Sequence, residues 1–330
     1  MGITIKDVAL RAGVSMSTVS RVLNNICPVD SEKRLRVERA VEELGYTPNP
    51  AARSLLSNQT GGVGIILPFV SGEFFSEFLN GVDEVAQSEG LFILISTSHH
   101  SASELKAALS GIYKRVDGLL IMAPNMVAED VIRLTPNEVP FVFVNTQMNT
   151  EKIDGITFDN YGGMYAMVMH LVSKGHRRIA FLTGPKGAHD ASERLRGYVT
   201  AMKDTGVAVR PELIIQGQYT QKSGYDSVAK LLALEERPTA IMASNDDAAV
   251  GVMSALRDAN VSVPSQVAVT GFDDVPSAQY STPPLTSVHV PIRQFGMAAM
   301  RLLISRLRGE PHVLQNRVLP VELRIRESSS

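Results

Sequence analysis

The sequence has no tryptophan and a single cysteine, Cys27, in 330 residues. One thiol excludes an intramolecular disulfide framework and a cysteine-built zinc site. Long apolar runs are missing too: stretches such as Val63–Val70 fall far short of the ~20 residues a membrane span needs. The first apolar residues alternate with Lys6, Asp7 and Arg11, so they form no signal-peptide core. Catalytic signatures are equally scarce. His99-His100 is an adjacent pair rather than a metal spacing, and no carboxylate grouping completes a site. Gly61-Gly62-Val63-Gly64 lacks the third glycine of a dinucleotide fingerprint and the lysine of a phosphate loop. No Gly-x-Ser-x-Gly elbow with ordered Asp and His partners occurs. These absences lead to the expectation of a cytoplasmic protein that is not an enzyme and uses no cofactor and no metal.

What is present is enough for about two domains. Hydrophobic residues make up 44% of the chain and charged ones 20%, too apolar a mixture for a disordered chain. The net charge of −2 hides an asymmetry. Residues 1–60 carry eight Lys/Arg against six Asp/Glu, and the remaining 270 carry 24 against 28. A small basic excess in the first segment is a weak footprint for phosphate binding, and an ordinary solvated surface gives the same count.

Three short helices are legible in that segment. Thr4-x-x-Asp7 is a capping-box-like start, followed by Ile5, Val8, Ala9 and Ala12 at helical spacing and by a stop at Gly13. Ser15 caps a second helix with Val19, Val22 and Leu23 inward. A third begins near Ser31 and runs its Val37, Ala40, Val41, Leu44 stripe to Gly45. Only Gly13-Val14-Ser15 joins the first two, which makes the group a helix-turn-helix with Val14 in its corner. The outer face of the second helix carries Met16, Ser17, Ser20 and Arg21, short or flexible groups plus one forked donor, as a helix entering a major groove requires. A small protein-interaction module with a polar face fits the same residues. Next, Asn49 and Pro50 open Ala51-Ala52-Arg53-Ser54-Leu55-Leu56, a helix of about two turns that is too short to stand alone. It is expected to order when two copies pack on DNA, with Ala52 permitting close approach and Leu55 wedging into the minor groove. A plain interdomain linker is the other reading of it.

From Gly61 onward, apolar runs alternate with amphipathic helices. Strands are expected at Val63–Leu67, Phe92–Ser96, Gly118–Met122 and Phe141–Asn145. A second series comprises Arg178–Thr183, Leu213–Gln216, Ala240–Ala243 and Val267–Gly271. Such repetition predicts two α/β lobes of about four parallel strands each, covered on both faces and separated near Thr157–Gly163. Ligands of parallel sheets bind at the carboxyl ends of the strands. Asn145, Asn245, Asp246, Asp273, Arg194 and Tyr219 fall there, and Phe74 and Phe75 start the first helix of lobe one. Amides, carboxylates and a guanidinium that forks across vicinal oxygens, with aromatic rings to stack on a sugar, suit a polyhydroxylated ligand. Taken singly, each of these residues also fits a local cap, turn or core role.

The stretches Thr4-Ile-Lys-Asp-Val-Ala9, Gly13-Val-Ser15, Thr18-Val-Ser-Arg21-Val-Leu-Asn24 and Gly45-Tyr-Thr-Pro-Asn-Pro-Ala-Ala-Arg-Ser-Leu55 closely resemble the LacI/GalR family of bacterial transcriptional regulators. So do Gly175-His-Arg-Arg-Ile179, Arg194-Leu-Arg-Gly-Tyr198, Ser244-Asn-Asp246, Gly271-Phe-Asp-Asp274 and Pro283-Pro-Leu-Thr286. The resemblance covers essentially the whole chain. It implies a dimer on a near-palindromic operator of double-stranded DNA, governed by a core like a periplasmic sugar-binding protein. By position, Ser15, Met16, Ser17 and Arg21 match DNA-contacting residues, Asn24 a phosphate contact and Leu55 the minor-groove lever. Thr4, Ser20, Asn49 and Ala52 complete the DNA-binding candidates. Phe74, Phe75, Asn145, Asp190, Arg194, Tyr219, Asn245 and Asp273 match effector-pocket positions.

The resemblance also implies the organisation: a headpiece at 1–46, a hinge at 47–60 and a core at 61–330. The core lobes would take about 61–158 plus 291–319, and 161–289 plus 320–326. The chain stops soon after Arg326 without a leucine-heptad tail, so a homodimer rather than a tetramer is expected. In purine repressors the positions of Thr146 and Ala188 carry a stacking Trp and an Arg; their absence argues against a purine. The resulting expectation is a sequence-specific DNA-binding regulator, read as a repressor, whose effector is a sugar or sugar derivative. The alternative is a sugar-binding carrier with no DNA-binding role, which leaves residues 1–60 unexplained.

Overall fold

The computed structural model describes residues 3–24, 28–46, 59–136, 139–146, 153–310 and 314–330. The chain divides into two compact units, Met1–Gly61 and Gly62–Ser330.

The first unit contains α1 (Ile5–Ala12), α2 (Met16–Asn24) and α3 (Ser31–Leu44). Asp7 accepts from the Thr4 backbone N–H at 2.8 Å and from its hydroxyl at 2.7 Å, so the acidic residue anchors the start of α1. Gly13, at φ 64°, adopts the left-handed turn that ends it. Asp30 caps α3 by accepting from the Lys33 N–H. Val8, Ala9, Ala12, Val19, Val22, Val37 and Ala40 form a small common core, with Val14 packed against it at the corner. Of the predicted inward residues these are buried, whereas Ile5, Leu23, Val41 and Leu44 are partly buried against them.

The second unit carries twelve strands among the described residues, in two sheets of six. The first comprises β1 (Gly62–Leu67), β2 (Phe92–Thr97), β3 (Gly118–Ile121), β4 (Phe141–Val144), β5 (Gly155–Phe158) and β11 (Asn316–Leu319). Its order is β11-β5-β4-β3-β1-β2, with every pairing parallel. The second sheet comprises β6 (Ile179–Thr183), β7 (Ile214–Gln216), β8 (Ala240–Ala243), β9 (Ala268–Asp273), β10 (Thr286–His289) and β12 (Glu322–Arg324). Its order is β12-β10-β9-β8-β6-β7, and only β12 runs antiparallel. The chain therefore passes between lobes three times, after β5, after β10 and after β11.

Four strands escape the expectation of about four per lobe: β5, β10, β11 and β12. β5 falls on the stretch expected to separate the lobes. The physical reason is that β11 and β12 are sheet edges whose residues are largely exposed, so they need no apolar run. β5 and β10 are four residues each and include Gly155, Thr157, Thr286, Ser287 and His289, too short and polar to signal a buried strand.

Helices cover the sheets: α4 (Glu73–Ser88), α5 (Ala102–Ile112), α6 (Ala128–Leu134) and α11 (Ile292–Leu307) with the first. The second carries α7 (Asn160–Ser173), α8 (His189–Asp204), α9 (Gln221–Leu232) and α10 (Asp246–Asp258). α4 and α11 touch backbone to backbone. A Cβ on Gly81 would lie 2.0 Å from the Arg293 carbonyl oxygen, and one on Gly296 would lie 2.2 Å from that of Phe78. Phe78 and Phe295 fill the flanks of this contact, 5.6 Å apart between centroids.

Candidate functional site

The carboxyl ends of the two sheets face one cavity of about 620 Å³, open mouth included. All eight effector-pocket candidates line it: Phe74, Phe75, Asn145, Asp190, Arg194, Tyr219, Asn245 and Asp273. The topology explains the convergence, since each strand delivers the residue at its carboxyl end to the same edge. Asn145 follows β4, Asp273 ends β9, Asn245 links β8 to α10, and Asp190 and Arg194 share the first turns of α8.

The two walls differ in chemistry. Lobe one supplies Phe69, Phe74, Phe75, Met122 and Phe158, with Phe69 and Phe75 in an edge-to-face pair at 4.8 Å. Lobe two supplies the charges. Arg194 is 3% exposed; its Nε donates to Asn160 Oδ1 at 2.8 Å, Nη1 donates to the Ser244 carbonyl, and Nη2 reaches Asp273 at 3.5 Å. Its guanidinium lies 3.7 Å from the Phe272 ring centroid and 5.5 Å from that of Tyr219. Three of its five N–H groups are therefore held by the protein. The expected fork across ligand oxygens is reduced to the two that remain, because the guanidinium is first a structural clamp.

Burial dominates the electrostatics. It raises the Asp273 carboxyl to about 7 even though the Arg194 charge pulls the other way. Asp246, beneath the cleft, is pushed well above the ordinary carboxylate range, chiefly by burial and then by Asp273. It accepts from Ser287 Oγ at 2.6 Å and from the Val275 N–H at 2.8 Å, and thereby ties α10 to the turn that follows Asp273. Burial also raises Tyr219, reinforced by Asp190. For Arg194 burial alone would lower the pKa; Tyr219, Asp273, Asp190 and Asp246 outweigh it and raise it.

Local and functional readings coexist at Asn245. It caps α10 by accepting from the Ala248 N–H at 3.0 Å and donates to the Tyr219 carbonyl, yet it lines the cavity. Asn145 (φ 44°), Tyr219 (φ 59°), Asp273 (φ 103°) and His100 (φ 59°) all have left-handed backbone, a conformation non-glycine residues rarely adopt. Such strain gathers where a fold over-determines the placement of a side chain. The hydroxyl of Tyr219 and Oδ1 of Asn125 are buried and find no well-formed hydrogen bond. The lobes meet at the rims. Asn145 Nδ2 donates to Asp190 Oδ2 at 3.4 Å, the His189 N–H to the Pro124 carbonyl at 2.9 Å, and the Ser277 N–H to Glu73 Oε2 at 2.9 Å.

His100, Asn125, Phe158 and Asp247 also line the cavity and were not among the candidates. In the sequence His100 is half of an adjacent pair without metal spacing, and nothing in that spacing marks a cleft. For Asp247 there was a signal: it adjoins Asn245-Asp246, in the first turn of a helix that starts at a strand end.

On the headpiece, Thr4, Ser15, Met16, Ser17 and Arg21 are exposed and Ser20 is half-buried. Ser15 Oγ accepts from the Thr18 N–H at 3.2 Å and lies 2.8 Å from Ser17 Oγ and 2.9 Å from Thr18 Oγ1. This hydroxyl net stiffens the first turn of α2. The Asn24 side chain and Asn49, Ala52 and Leu55 lie outside the described residues.

Two family models match the chain: bacterial regulatory proteins of the lacI family over residues 4–49, and a periplasmic binding protein-like domain over residues 168–329. Catabolite control protein A of Priestia megaterium is 35% identical over 331 residues, covering 100% of both chains. A crystal structure of the lac repressor dimer bound to operator and the anti-inducer ONPF superposes with a TM-score of 0.90 at 29% identity. The match covers 100% of this chain and 99% of that one. The transcriptional regulator CelR in complex with cellobiose matches at a TM-score of 0.74 and 31% identity, over 99% of each chain.

Proposed function

As the chain belongs to the lacI family of bacterial regulatory proteins, we propose that its cleft is the effector site through which a sugar or sugar derivative sets its affinity for DNA. The protein is a DNA-binding transcriptional regulator that acts on double-stranded operator DNA as a homodimer. The observation that carries the effector assignment is the gathering of eight strand-end and helix-start residues around one cavity with a polar wall and an aromatic wall. Polar groups of lobe two bond ligand hydroxyls, and Phe74 and Phe158 cover the apolar ring face. Cellobiose, named with CelR, is the kind of ligand such a cleft suits.

In this reading a ligand touching both lobes favours their closed arrangement, and it shifts the equilibrium only by its differential affinity for the two states. A coupling of about 1–3 kcal/mol changes operator affinity about 5- to 150-fold. Base reading falls to the exposed face of α2, where Met16 offers apolar contact and Arg21 a bidentate donor for guanine. Residues 47–60 are the proposed hinge, with Asn49, Ala52 and Leu55 acting at the minor groove.

The test combines a thermal-shift screen of glucose, galactose, ribose and cellobiose with gel shifts on fragments of the source genome. A binding sugar raises the melting temperature and alters the gel shift. Asp273→Asn and Tyr219→Ala keep the shift and lose the response. If both variants respond to the sugar as the parent does, the cleft is not the effector site.

A further inference from the structure

Among its described lining residues the cleft carries more acidic than basic side chains, and its guanidinium is largely engaged by the protein. Among the described residues lining it, Asp190, Asp247 and Asp273 face a single guanidinium, that of Arg194. That guanidinium is clamped by Asn160, Ser244 and Asp273 and covered by Phe272. His100 adds no charge near neutral pH, because burial holds it below the ordinary imidazole range against the pull of Asp190.

The mouth repeats the pattern. Asp247 stands so close to the rim of lobe one that a Cβ on Gly72 would lie 2.9 Å from its Oδ2, and Glu73 follows directly at the start of α4. A phosphate or carboxylate entering there would pass Asp247 and settle beside Asp190 and a partly protonated Asp273. Desolvating an anion is costly where the one guanidinium among the described lining residues keeps only two N–H groups to offer it, and like charges add to that cost.

Resting on the reading of the cleft as the effector site, we propose that it is an anion filter: it admits uncharged polyols and rejects phosphorylated or carboxylated metabolites. Asp247 sets the barrier at the mouth, and Asp190 sets it within. The neutral polar side chains of the lining, Tyr219, Asn125, Asn145 and Asn245, match hydroxyl groups rather than charge.

One experiment needs no knowledge of the ligand. Ser71 lines the mouth and is exposed, so Ser71→Cys in a Cys27→Ser background places a reporter thiol there. Its rates with neutral iodoacetamide and anionic iodoacetate are compared, each relative to glutathione. The thiolate attacks in both cases, so a shifted thiol pKa cancels in the ratio. The anionic reagent is expected to be disfavoured about tenfold at low salt. Asp247→Asn recovers several-fold of this, and salt shrinks the difference. A ratio equal to that of glutathione, or one that Asp247→Asn leaves unmoved, overturns the filter.

The second experiment is calorimetry with matched pairs: glucose and glucose 6-phosphate, ribose and ribose 5-phosphate, galactose and galacturonate. Any binding is expected from the neutral member. A phosphorylated sugar that binds, and whose effect disappears in Asp273→Asn, overturns the filter while leaving the effector site standing. Unaltered sugar responses in Asp273→Asn and Tyr219→Ala overturn the effector site itself.

Discussion

Arg194→Met keeps the length of the side chain while removing its charge and every donor, so it isolates what the guanidinium contributes. The group bonds Asn160 at 2.8 Å, the Ser244 carbonyl and Asp273, and lies over Phe272. Removing one partner of a buried charge pair costs about 3–5 kcal/mol, mostly because the other charge is stranded. Asp273 has an escape in protonation, since burial already lifts its carboxyl to about 7. The loss is therefore expected near 3 kcal/mol at pH 6, where Asp273 can stay neutral, and nearer 5 at pH 8. In an Asp273→Asn background no charge is stranded at that position, and Arg194→Met is expected to cost about 1–3 kcal/mol less. Urea unfolding of the four proteins at both pH values measures the cycle. Tyrosine emission is a suitable signal because there is no tryptophan and all tyrosines but Tyr46 lie in the second unit. A cost under about 1 kcal/mol, or one equal in both backgrounds and at both pH values, would refute the clamp.

Three further outcomes are expected. Asp273 and Asp246 hold their protons more tightly folded than unfolded, so their contribution to stability is complete below about pH 4 and is lost as pH rises through about 7 for Asp273. The unfolding free energy, followed by urea denaturation, should fall between pH 5 and 8 by at most about 1.4 kcal/mol per pH unit from each group. Asp273→Asn should flatten it, and an unchanged slope refutes the assignment. Gly81→Ala drives a Cβ into the Arg293 carbonyl and should cost about 1–3 kcal/mol by urea denaturation, whereas a neutral result would mean that α4 and α11 separate freely. Arg21→Ala is expected to weaken binding to the specific operator by about 1–3 kcal/mol while sparing nonspecific DNA, measured by gel shift at fixed salt. Equal losses on both DNAs would make Arg21 a phosphate contact instead.

Legibility differed from element to element. The three headpiece helices were readable from Thr4, Ser15 and Ser31 at their starts and from Gly13 and Gly45 at the ends of the first and third, with valines and alanines at helical spacing between them. Buried strands such as Val63–Leu67 were readable because both faces are covered and the run is continuously apolar. The edge strands Asn316–Leu319 and Glu322–Arg324 were not, since their pairing depends on a neighbour far away in the chain. Candidate cleft residues could be named from their position after a strand and their chemical type. Their burial, the left-handed backbone at Asn145, Tyr219 and Asp273, and the inclusion of His100 could not.

Local chemistry written in consecutive residues determined the helix-turn-helix, the alternation of strand and helix, and the residue types at strand ends. Each of these is fixed by interactions spanning a few positions. Only the tertiary structure decided that Arg194, 79 residues from Asp273 along the chain, is spent as a clamp, and that three carboxylates share one cleft. Charge balance and burial in a cavity are sums over segments that meet only when the chain has folded, so no local pattern carries them.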